Sequence, residues 1–169
     1  SPSIAGEGYN LDISIRLLAF MLKHRIGTTA KNQVSFFPAD LAADNIVAIS
    51  SLPESLSTTC HVTRDTYATM LDITTILARL TRQSFENFAL NDFVPEVIER
   101  CQKDDPLFPL LNFLVRSVSN ITAMEFKRYD NSNFQRFRGQ VTQGKEDPLL
   151  EDVVVGILRF MRGHGIVED

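Results

Sequence analysis

DPLFPLLNFLVRSV, residues 105–118, is the stretch whose reading decides the fold. Leu107, Leu110, Leu111, Leu114 and Val118 recur at helical spacing, and Phe108, Phe113 and Val115 fill most of the remaining circumference. A helix that is apolar nearly all round belongs in an interior. Asp105 is the expected cap, Pro106 suits the first helical position, and Pro109 still falls in the first turn, where a missing N–H costs little. The expectation is an all-α chain: a single compact multi-helix domain, bundle or short helical superhelix, around a central buried helix near 106–118.

Towards the C-terminus, Ile121, Met124 and Phe126 extend a helical pattern, Gly139–Glu146 reads as a polar connection, and Asp147-Pro148 repeats the capping device. Leu149, Leu150, Val153, Val154, Ile157, Leu158 and Met161 then mark a last buried helix ending at Gly163. Towards the N-terminus, Asn91 and Asp92 cap a stripe of Val94, Val97, Ile98 and Cys101. A longer helix is expected to begin at Thr63, with an apolar face through Leu80 that continues to Phe85 and Phe88, so that the helix either runs on or jogs near Gln83-Ser84. Pro38 opens another, with Leu41, Asn45 and Ala48 opposite Ile46, Val47 and Ile49, and SSLPESLSTT, residues 50–59, is an exposed loop.

Leu11–Leu22 fits either period. Alternation of Leu11, Ile13, Ile15 and Leu17 suggests a strand, whereas Leu11, Ile15, Leu18 and Leu22 suit a helix. Length favours the helix, with Asn10 as cap and Lys23, His24 and Arg25 complementing its C-terminal dipole before Gly27. Residues 1–9 form a flexible lead-in, 10–169 a single α-helical domain, and nothing after Ile13 reads as a strand. LAFMLKHRI, residues 18–26, matches LRFMRGHGI, residues 158–166, at five positions. Either a duplicated unit or two similar helix ends would produce this, and a true repeat array wants three copies.

At 169 residues and 19.0 kDa the chain is one domain by size. Apolar residues at 44% and charged residues at 22% are the balance of a folded globular protein. A net charge of -4 argues against an overall polyanion-binding surface. Two cysteines without a short-spaced partner suggest free thiols and an intracellular, cytoplasmic setting. No apolar run approaches the ~18 residues of a membrane span, and a start at Ser1 reads as a processed protein or a piece of a longer one.

The candidate binding stretch is FKRYDNSNFQRFR, residues 126–138. Lys127, Arg128, Arg136 and Arg138 outnumber Asp130, and Tyr129, Phe134 and Phe137 are interleaved with them. Cations on phosphates and bases on aromatic faces are how single-stranded RNA is held; aromatic residues packed inward with charges outward give the same pattern. Phe36, Phe37 and Phe93 are candidates for a protein interface. His24, His61 and His164 are scattered and Cys60-His61 adjacent, so no metal or other cofactor is expected and no catalytic residue is assigned. The carboxylate pairs Asp40/Asp44, Glu96/Glu99 and Asp147/Glu151 suit helix first turns. Neither a nucleophile elbow nor a dinucleotide fingerprint is present.

The leading expectation is a non-enzymatic binding or assembly domain: an adaptor, scaffold or self-assembling unit with a protein partner or a second copy. One alternative is an RNA-binding assembly protein of nucleocapsid or coat type using 126–138. The other is an enzyme whose site converges only on folding, with His24, His61, Cys60 and Cys101 the first residues to inspect.

Overall fold

Helix α1, Ile13–His24, is the element that the others surround: Leu18, Ala19, Phe20, Met21 and Leu22 are all buried. The computed structural model describes residues 11–141 and 147–168. The lead-in at 1–9, the Asn10 cap and residues 142–146 of the polar connection lie outside the described residues. Asp12 caps α1 instead, its carboxylate accepting the N–H groups of Ser14 at 2.7 Å and Ile15 at 3.0 Å. At the other end Arg25 takes a left-handed conformation, φ 55°, and donates its N–H to Met21.

That turn sends the chain directly into β1, Ile26–Thr28, which is fully buried. β2, Gln33–Val34, precedes α2, Ala39–Ser50, and a single 3-10 turn at Pro53–Ser55. β3, Ala68–Thr69, pairs antiparallel with β2 and leads into α3, Met70–Thr81. A reciprocal cap starts α3: Thr69 accepts from the Asp72 N–H while the Asp72 carboxylate accepts from the Thr69 N–H. α3 ends as α1 does, on a left-handed arginine, Arg82 with φ 56°, and passes to β4, Glu86–Phe88, which lies parallel to β1. Gly27 of β1 pairs with Asn87, and a Cβ at Gly27 would collide with the Asn87 side chain. The glycine is there for that close approach, not to end a helix.

α4, Leu90–Arg100, α5, Leu111–Ala123, α6, Ser132–Val141, and α7, Leu150–Gly163, complete the order. The chain is therefore not all-α. It is a helix-rich α/β fold with one parallel and one antiparallel two-stranded sheet. The expected central helix is the second correction. Leu107 is buried but lies before α5, a 3-10 turn occupies Phe108–Leu110, and none of α5 is fully buried. Phe113 is 56% exposed and Val115 41%. Periodicity identifies an apolar helix but does not say whether this chain covers it.

Two cores result. The larger joins α1, β1, α3, α4 and α7 through residues such as Phe20, Ile26, Leu77, Val97 and Met161. The smaller has Ile49 of α2 against Phe134 and Phe137 of α6, with Phe37, Leu52, Cys60 and Val62 packed around them. Among the described residues no helix is long and apolar enough to cross a membrane.

The matching segments 18–26 and 158–166 share a helix ending. Phe20 stacks on His24 at 4.4 Å and Phe160 on His164 at 4.2 Å, Met21 and Met161 are both buried, and a left-handed residue follows each histidine, Arg25 or Gly165. In α7 the Ile166 N–H closes the end on Met161 O at 2.8 Å. The likeness belongs to two helix termini.

Candidate functional site

Parallel strands present their carboxyl ends to the same side, and the space beyond them is where α/β folds place ligands. Beyond β1 and β4 lies a cleft of about 180 Å³, lined by residues 29–32 after β1, 89–91 at the start of α4, and Thr122 and Glu125 at the end of α5. Its walls are fixed by hydrogen bonds. Thr29 donates its N–H to Phe88 O at 2.8 Å, Ala30 donates to Thr28 Oγ1 at 3.1 Å, and Asn32 Nδ2 donates to Ile121 O at 2.6 Å, tying α5 to the strand ends. Lys31 and Glu125 supply one charge of each sign, and the lining holds no thiol, imidazole or paired carboxylate. The cleft is a small, open concavity. It does not fit a dinucleotide: Ala89, Leu90 and Asn91 stand where a glycine-rich turn would admit pyrophosphate.

The second cluster gathers around Asp105, whose side chain is completely buried. Lys23 Nζ lies 2.7 Å from Oδ1, His24 Nε2 3.1 Å from Oδ2, and the Gln102 N–H donates to Oδ2 at 2.7 Å. Burial alone would raise the Asp105 pKa, but the bonds from Lys23, Gln102 and His24 outweigh it and hold the carboxyl below its ordinary value. The Asp105 hydrogen bond in turn raises Lys23. Cys101, within the field of the same carboxylate, is pushed up to about 11, first by burial and then by the negative charge of Asp105. His24 and Cys101 thus meet around one carboxylate. The thiol, however, is held in its neutral and least nucleophilic form. The arrangement fastens the loop after α4 to the end of α1. Asp105, read from sequence as a helix cap, is its hub.

The stretch 126–138 divides at α6. Phe134 and Phe137 face the smaller core at 0% and 1% exposure, where no base can stack on them. Arg138 is buried, with Nη2 2.7 Å from Asp147 Oδ1. Arg64, also buried, approaches the same carboxylate at 3.8 Å and donates to Pro148 O, so Asp147 ties α6 and the segment before β3 to the start of α7. Lys127, Arg128, Tyr129 and Arg136 are exposed. Arg128 donates to Gln33 Oε1 and lies over the Tyr67 ring, Tyr129 stacks on His61 at 5.1 Å, and Arg136 lies over Phe137. Of the interface candidates, Phe93 is buried in the larger core, and Phe36 and Phe37 are half-buried against the larger and smaller cores respectively. Cys60 packs inward and His61 points outward, so that neighbouring pair does not converge. Among the described residues no three His, Cys, Asp or Glu side chains gather as metal ligands.

A second, open groove of about 550 Å³ lies between α3 and α7, lined by Leu80, Val155, Leu158, Arg159, Arg162 and Gly163. Sequence reading missed both grooves. The β1/β4 cleft depends on pairing strands sixty residues apart, and no motif in 29–32 or 89–91 announces it.

No protein-family model matches the chain, and no curated protein matches it by sequence. Among solved structures it is similar to the terminal R domain from the myxalamid PKS-NRPS biosynthetic pathway, with a TM-score of 0.77 at 17% sequence identity. The likeness is in the fold. It covers 93% of this chain and 40% of that one, so the chain spans less than half the length of the structure it matches. That α/β neighbour, together with the two sheets here, overturns the all-α expectation. It also overturns the expectation of a non-enzymatic adaptor, scaffold or coat-type assembly unit, because the fold is one found within a biosynthetic enzyme domain.

Proposed function

We propose that this chain is the helical, substrate-side part of a biosynthetic reductase of R-domain type, acting on products of polyketide or peptide assembly. The single observation that carries the reading is the fold likeness over 93% of the chain at a TM-score of 0.77. Two features of the chain support it. The strand-end cleft and the α3/α7 groove are shaped for binding and hold no catalytic constellation. The β4 to α4 turn does not fit a dinucleotide, so in this reading the hydride donor is held by a part of the fold outside this chain. What this chain contributes is substrate contact and positioning.

The test is NADPH consumption, followed at 340 nm with a panel of acyl acids, esters and thioesters. It compares the 169-residue chain with the longer polypeptide that carries it. The expected result is turnover by the longer polypeptide alone, with a KM raised about tenfold by Leu90→Asp in the cleft. Tight NADPH binding by the chain alone, or no NADPH consumption by the longer polypeptide, contradicts the reading.

A further inference from the structure

The seam between α3 and α7 is bridged by an ion pair near the start of α7 and open further along. Arg79 Nη2 of α3 meets Glu151 Oε2 at 2.6 Å. Beyond that pair the seam widens into the groove of about 550 Å³. Its floor is Leu80 of α3 with Val155 and Leu158 of α7; Leu158 is 6% exposed, and Leu80 packs against the larger core. Val155, Leu158, Arg159 and Arg162 recur at three- and four-residue intervals, so they share one face of α7. From Val155 to Arg162 the groove follows that face for about two turns, roughly 10 Å. At the far end Gly163 leaves it open: a Cβ there would meet nothing within 4 Å.

The charges along this face of α7 separate by sign. Glu151 and Asp152 come before Val155, with Glu151 held by Arg79, whereas Arg159 and Arg162 come after it. Among the described residues the lining of the groove holds no carboxylate. The C-terminal end of a helix carries roughly half a negative charge, which disfavours an anion. Two guanidinium groups outweigh that, so the Gly163 end of the groove is cationic. An apolar trough with a cationic end complements an apolar chain with an anionic head. The chain gains by leaving water, and a guanidinium fork matches a carboxylate through two parallel hydrogen bonds.

We infer that the α3/α7 groove binds a linear acyl carboxylate, with its head at Arg159 and Arg162 and its chain along Leu158, Val155 and Leu80. The inference rests on the reading given under Proposed function, in which acyl acids and their derivatives are the substrates. It adds to the strand-end cleft a second place of substrate contact and names its chemistry. A few placed cations beside an apolar floor are the usual make-up of a site for such a ligand.

The test is a titration of the 169-residue chain with sodium octanoate, read from backbone amide chemical shifts. Octanol, which has the chain without the charge, and acetate, which has the charge without the chain, are titrated beside it. Octanoate is expected to move the amides of Leu80 and Val155–Gly163 saturably and to bind about tenfold more tightly than octanol, with the difference shrinking at high salt; acetate moves none of them. Arg159→Gln lowers the preference for octanoate over octanol about threefold. Gly163→Leu sets a side chain in open space, leaves the melting temperature unchanged and weakens octanoate and octanol alike by about tenfold. Equal affinity for octanoate and octanol overturns the inference, as do shifts confined to other surfaces and a Gly163→Leu chain that binds octanoate undiminished. Turnover of NADPH by the longer polypeptide with no octanoate in the groove sinks this inference alone; octanoate bound there without NADPH consumption leaves the site assigned and sinks the reductase reading.

Discussion

The larger core and the smaller core are built from the same kinds of side chain and differ in closure. In the larger, α1 is enclosed by β1, α3, α4 and α7, and Leu18, Phe20, Ile73 and Leu77 all reach 0% exposure. In the smaller, Phe134 is as deeply buried as Phe20, yet α2 beyond it turns Ile46 and Val47 to the outside. Burial of a single residue therefore does not report whether its surroundings are complete. What separates the two regions is cover: the larger core is bordered by the paired strands β1 and β4 as well as by helices, the smaller by a helix that leaves Ile46 and Val47 exposed.

The largest effect that sharpens this contrast is expected at Phe20. Phe20→Ala leaves a cavity in a core with no room to collapse and lowers stability by about 3–5 kcal/mol, read by urea denaturation. Phe134→Ala removes an equally buried ring, but the smaller core can open by itself. The expected global loss is smaller, about 2–3 kcal/mol, with exchange protection lost in α2 and α6 and kept in α1. Equal and global losses for the two would break the comparison.

Next in size is Asp105, which pins the larger core to the loop before α5. Asp105→Asn is expected to cost about 1–3 kcal/mol, since Lys23 can return to water while the Gln102 N–H loses a charged acceptor. The pH dependence follows from the directions of the shifts. The folded value of Asp105 lies below its unfolded one, so its contribution is present above about pH 4 and is lost as pH falls through the folded value. Lys23 and Cys101 are raised, so theirs are present at neutral pH and lost on the alkaline side. For Cys101 the window runs from its ordinary 9.0 to about 11. Thermal melts should be flat through neutrality and fall above pH 9, and Cys101→Ser should remove the part of that fall lying between the two values.

Gly27→Ala meets Thr74 Cγ2 at 3.2 Å and the end of the exposed Asn87 side chain, which can turn aside, and should cost about 1 kcal/mol. A double-mutant cycle with Asn87→Ala should recover most of it. Smallest is Phe126→Ser: a ring 74% exposed outside both cores should shift stability by less than about 0.5 kcal/mol.

The sequence made the helices legible where an amphipathic run exceeded ten residues, as in α1, α4 and α7. It hid the strands, because β1 to β4 are two or three residues long and a period of two cannot be read over so few positions. α1 ends at the Lys23-His24-Arg25 cluster that marks it in the sequence, whereas α3 ends on Arg82 with no glycine to mark the stop, so the sequence left open whether the helix ran on through Phe85 and Phe88, which belong to the turn and β4. Asp105-Pro106 and Asp147-Pro148 look like caps, but each carboxylate is instead spent on distant cations, Lys23 in one case and Arg138 in the other. In 126–138, alternation of charge and ring was legible while the direction of each ring was not. Burial of α5 was misread because periodicity shows which positions are apolar and not which of them the other elements cover.

The most direct test of the contrast between a closed and an open core is native-state hydrogen exchange of the 169-residue chain in rising urea, resolved at Leu18–Leu22 and at Phe134–Arg138. The account predicts that α6 opens first, with a lower free energy and a weaker urea dependence than α1, whose amides exchange only on global unfolding. Coincident free energies and urea slopes for the two helices would show one cooperative core and contradict it.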